Sequence, residues 1–78
     1  MLDVSTFVKV ILKKRGMSQM DLIRAMEAKG VTGVHREHLS EALSGRMFPI
    51  MARKIEIGLD LPENTLVKMV KPTTKKIK

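Results

Sequence analysis

The sequence predicts an all-α domain, a compact bundle of about five short helices followed by a disordered basic C-terminal tail. Three observations carry that prediction. Apolar residues recur at helical spacing in successive segments. Glycine or proline stands between the segments, where helices stop and start. No run of β-branched residues shows the strict alternation of a half-buried strand. At 78 residues the chain suits one domain and not two. The expected division is 1–70 for the domain, with residues 71–78 as the tail.

Each element has its own signals. In the first helix Val4, Phe7, Val8, Ile11 and Leu12 fall at i, i+3, i+4, i+7 and i+8. Asp3 is its N-cap, and Gly16 supplies the left-handed stop. Lys13, Lys14 and Arg15 fill its last turn, where cations suit the negative end of the helix dipole. The second helix opens on Ser18 with Asp21 three residues on, a capping-box pair. Met17 and Leu22 are spaced as a hydrophobic staple around that cap, and Leu22, Ile23 and Met26 face the core. This helix ends at Lys29-Gly30, and Gly30-Val31-Thr32-Gly33 reads as a turn.

The third helix runs from Val34 or His35 to Ser44, with Leu39, Ala42 and Leu43 inward and Arg36, Glu37, Ser40, Glu41 and Ser44 outward. Gly45 closes it, and Arg46-Met47-Phe48 connects to Pro49 at the first position of the fourth helix. Ile50, Met51, Ile55 and Leu59 are expected to line that helix, and Gly58 to weaken its end. Pro62 opens a fifth, with Leu66, Val67, Met69 and Val70 as apolar positions. Among the seven methionines, Met20 and Met47 are expected at the surface.

Composition narrows the function. The chain has no cysteine, so neither disulfides nor a thiolate metal site can reinforce a small core. The net charge is +7 and the pI about 10.2, a balance that attracts polyanions. The last eight residues carry four Lys and no acid, which leaves +3 on the rest. Phe7 and Phe48 are the only aromatics. Single-strand and RNA readers stack bases on exposed aromatic rings, so duplex DNA is the better partner. No segment approaches the roughly 20 apolar residues of a membrane-spanning helix, and Met1 to Leu12 lacks a basic leader and cleavage site. A cytoplasmic, nucleoid-associated protein with no membrane partner is expected.

The order of elements resembles the Cro/repressor-type (lambda-repressor-like, XRE-type) helix-turn-helix family. The resemblance is carried by Met17-Ser18-Gln19, Leu22, the run Leu39-Ser40-Glu41-Ala42-Leu43-Ser44-Gly45-Arg46, Pro49 and Leu59, across residues 4 to 70. It implies a small phage- or mobile-element-type repressor that occupies an operator as a homodimer, its helix-turn-helix spanning residues 18–48. It places base readout on His35, Arg36, Glu37, Ser40 and Glu41. It places phosphate contacts on Ser18 and Gln19, and on Arg46 after the third helix. Lys13, Lys14 and Arg15 join these as sequence-independent phosphate contacts. Leu66, Met69 and Val70 are the candidate dimer surface. The chain departs from the family twice. The segment between Met26 and Val34 is longer than the family's tight turn, and Leu43 stands where the family often carries a structural Glu.

The outward face of the third helix has its own chemistry. An arginine at its start can bond guanine O6 and N7 together, which makes Arg36 the best base reader. Glu37 and Glu41 oppose phosphates, yet can accept from cytosine N4 or restrain Arg36 sideways. The bland alternative is a solvated helix face. His35 and His38, three apart beside Glu37 and Glu41, suggest a metal, but the supporting ligand set is missing. No metal, cofactor or catalytic residue is expected: there is no phosphate-binding glycine loop and no supported nucleophile-base set. The alternative function is a protein-interaction module on the same fold, with a protein partner in place of DNA. A membrane- or RNA-associated basic domain driven by the tail is a third.

Overall fold

The structure, a computed structural model, describes residues 3–70. Four α-helices and a short 3-10 turn account for its regular structure: α1 (Val4–Arg15), α2 (Gln19–Ala28), α3 (Arg36–Leu43), α4 (Pro49–Leu59) and the turn Val67–Met69. The fold class is all-α, and no strand occurs among the described residues. The expected tail, residues 71–78, lies outside them.

Local chemistry sets the helix ends. The Asp3 carboxylate accepts from the Thr6 N–H at 2.8 Å and caps α1. Gly16, at φ 66°, turns the chain left-handed, and Met17 N–H then closes on the Leu12 carbonyl at 2.9 Å. In the α2 capping box the Ser18 N–H donates to Asp21 at 2.9 Å, while the Asp21 N–H donates to the Ser18 hydroxyl oxygen at 3.1 Å. Pro49 takes the first position of α4, as its fixed φ allows.

One core joins all four helices. Val4, Val8 and Leu12 of α1 meet Leu22, Ile23 and Met26 of α2, Leu39, Ala42 and Leu43 of α3, and Ala52, Ile55 and Leu59 of α4. Ser5 is buried too, and its hydroxyl donates to the Ala42 carbonyl at 2.6 Å, fastening α1 to α3. Gly58 is a packing position. A Cβ there would lie 2.5 Å from Met26 Cγ and 3.4 Å from the Met26 nitrogen, so its bareness lets α4 lie close on α2.

Several expectations need correction. Ile50 does not line α4 inward; it is 73% exposed. The buried stripe is Ala52, Ile55, Glu56 and Leu59, at i, i+3, i+4 and i+7, and Ile50 falls off it. Met47 is buried, because the short connection it belongs to turns an apolar side chain into the core. Among the described residues no fifth α-helix follows Pro62: after Asp60, in left-handed conformation at φ 60°, come turns and the 3-10 segment. Leu66 and Val70 are buried in this core and Met69 is half-buried, so the three do not form an open dimer surface.

The reason for that path is Glu56. Its carboxylate, fully enclosed, accepts the backbone N–H groups of Leu66 at 2.5 Å, Val67 at 2.8 Å and Asn64 at 3.2 Å, and the Arg53 guanidinium at 3.2 Å. A buried charge is tolerated when it is paired and hydrogen-bonded, and this one binds the end of the described chain to α4.

Candidate nucleic-acid interface

α3 lies on the surface with its polar side outward. Arg36, Glu37, Ser40, Glu41 and Ser44 are exposed, and Leu39, Ala42 and Leu43 hold the helix down from beneath. Val34 is half-buried at its entrance. Its N-cap, His35, makes no side-chain capping bond, which leaves the first turn's N–H groups open. The His35 and His38 rings meet edge to face, 5.4 Å between centroids.

The Arg36 guanidinium has no hydrogen bond or ion pair among the described residues. It is not restrained sideways by a carboxylate. Glu41 instead faces Arg46, at 3.9 Å, a long exposed pair of small energetic weight. The structure thus brings together one expected base reader and one expected phosphate contact. Glu37 and Ser40 stand exposed on the same helix.

The second group of expected contacts sits at the corner between α1 and α2. Lys13 and Lys14 are exposed in the last turn of α1. Ser18 is exposed and Gln19 half-buried where α2 starts. The Ser18 oxygen already accepts the Asp21 N–H and its hydroxyl bonds the Asp21 carboxylate, so an incoming phosphate would have to displace that carboxylate. Asp21 also puts a carboxylate at this helix N-terminus. Bonds from the Ser18 backbone and side chain, with Arg24 nearby, hold its pKa below the ordinary value. Arg15 is drawn elsewhere: its guanidinium donates to the Leu59 carbonyl at 2.9 Å, at the C-terminal end of α4, where carbonyls attract cations.

No family model, curated protein or solved structure matches this chain. The site's chemistry therefore rests on its own side chains. Among the described residues no group of His, Asp and Glu is arranged to hold a metal ion, and no helix is long and apolar enough to cross a membrane.

Sequence reasoning missed the ground beside α3. Phe48 and Ile50 stand out of the surface next to His38 and Glu41, with Lys54 one turn along α4. The sequence holds part of the signal: Ile50 is out of phase with the Ala52–Ile55–Leu59 stripe.

Proposed function

We propose that this protein is a sequence-specific double-stranded DNA-binding regulator of the Cro/repressor type, acting as a homodimer that occludes an operator. The observation that carries the reading is Arg36, unpaired at the start of an exposed helix whose other side is anchored in the core. A guanidinium so placed can reach a guanine edge in the major groove. Lys13, Lys14, Ser18 and Gln19 would follow the phosphates from the α1–α2 corner, and Arg46 from the far end of α3. Two such helices about 34 Å apart read a palindrome in successive major grooves.

The test is a titration of the full chain against the DNA upstream of its own gene and a scrambled duplex of equal length, at two salt concentrations. The specific duplex should bind about a thousandfold more tightly, and both affinities should fall with salt. Equal binding of the two duplexes at both salts sinks the operator reading. Arg36→Ala should cost about 1–3 kcal/mol on the specific duplex alone. Lys13→Ala should weaken every duplex alike and lower the salt slope by about 1. If both variants act equally on all sequences, Arg36 does not read bases.

One observation favours a second reading. Glu37 and Glu41 put two carboxylates on the outward face of α3, where DNA would bring phosphates. A protein-interaction module would use that face for a cationic partner, and would show no duplex binding at low salt.

A further inference from the structure

Beside α3 lies an apolar groove of about 480 Å³, lined by Ala42, Phe48, Ile50 and Met51, with His38, Glu41, Arg46 and Lys54 around them. Phe48 is 55% exposed and Ile50 73%. Ile50 and Lys54 also line a second groove, of about 430 Å³, with Pro49, Arg53 and Val67. The two residues therefore stand between the grooves, and Phe48-Pro49-Ile50 makes an apolar ridge. Scattered exposed hydrophobics are ordinary, but a contiguous set flanked by concave surface marks a binding place.

Charge selects the occupant. The cations around the ridge are Arg46, Arg53 and Lys54, against Glu41 and the Glu56 carboxylate that bonds Arg53. Arg53 is engaged by Glu56 and Arg46 faces Glu41, while the Lys54 ammonium has no hydrogen bond or ion pair among the described residues. The surplus is positive. A second copy joined by a two-fold axis would set the same cations against each other, on chains of net charge +7. The chain's own last eight residues, with four Lys and no acid, have the wrong sign. A DNA backbone would match the charge but leave Phe48 and Ile50 without apolar contact. We infer that the ridge and its grooves dock an acidic amphipathic segment of a partner protein. Its apolar side chains cover Phe48, Ile50 and Met51, and its carboxylates meet Lys54 and Arg46. This docking does not depend on α3 reading DNA.

The probe is a synthetic helical peptide with Leu and Phe at i, i+3, i+4 and i+7 and Glu elsewhere, titrated into the 15N-labelled full chain without DNA. A control peptide carries Lys at every Glu. The acidic peptide should shift the amide signals of His38, Ala42, Ile50, Met51 and Lys54, and the basic one should not. Ile50→Ser and Lys54→Glu should each weaken binding about tenfold or more, with the helical circular dichroism retained. Absence of acidic-peptide binding, equal binding of both peptides, shifts confined to other residues, or indifference to both substitutions overturns the proposal. So does a homodimer in sedimentation that is abolished by Ile50→Ser, or duplex DNA shifting the ridge signals when neither peptide does. Because the probe contains no nucleic acid, failure here leaves the operator titration standing, and the converse holds.

Discussion

Glu56 shows how one side chain directs the chain around it. Burial raises its pKa, but the N–H groups of Val67, Leu66 and Asn64, with the Arg53 guanidinium, outweigh that and leave it below the ordinary value of 4.5. A carboxyl whose pKa is lower folded than unfolded stabilises the fold fully above its unfolded pKa. That stability drains away as pH falls through the folded value. Asp21, lowered from 3.8, acts with the same sign. Urea midpoints should therefore hold steady near neutrality and fall from about pH 4.5 downward. Glu56→Gln keeps one acceptor oxygen but sets an NH2 group against backbone donors. It should cost about 2–4 kcal/mol at pH 7 and flatten the acid dependence. A variant as stable as the parent at pH 7 would show that the carboxylate does not hold this segment.

Among the elements, α2 depends on both its ends and its neighbour. Ser18→Ala removes the acceptor for the Asp21 N–H and should cost about 1 kcal/mol, a fall in Tm of about 4–8 °C. Gly58→Ala would ordinarily strengthen a helix by about 1 kcal/mol. Here the added Cβ meets Met26, and overpacking of about 1–3 kcal/mol should turn the gain into a net loss. Pairing it with Met26→Ala should recover part of the Gly58→Ala penalty, and purely additive losses would remove the clash as its cause. These cases divide what was legible in the sequence from what was not. Asp3, Gly16, Ser18 and Pro49 announce helix ends because their partners lie within a few residues. Gly58 reads as a weak helix end and Glu56 carries no signal of its own, since the Met26 that Gly58 meets is on another helix and the backbone groups Glu56 holds lie eight to eleven residues on. The expected fifth helix fails for the same reason: backbone N–H groups that would serve it are taken by a carboxylate on α4. On the candidate interface, the polar outward face of α3 was legible from its period. The diversion of Arg15 to a carbonyl of α4, and the Phe48–Ile50 ridge, follow from how the helices pack.

For the whole molecule, positive charge is concentrated toward one end of the sequence. Residues 71–78 carry four of the seven net positive charges and lie outside the described residues. Deleting them should leave the unfolding midpoint unchanged and preserve discrimination between specific and scrambled duplexes. The salt slope should drop by about 0.9 for each phosphate that the tail neutralises in the full chain. Loss of all duplex binding in the truncated chain would assign DNA affinity to the tail and rule out α3 as its source. The way the chain end is fastened also bears on motion. Asn64, Leu66 and Val67 direct their amide protons to a single carboxylate, and not along a helical ladder. One rotation of the Glu56 side chain would free all three together. Their hydrogen exchange should rise and fall in step, as a small cooperative unit that opens while α1 to α4 stay closed. The segment beyond α4 is thus a latch whose bolt is this carboxylate and whose seat is the buried side chains of Leu66 and Val70.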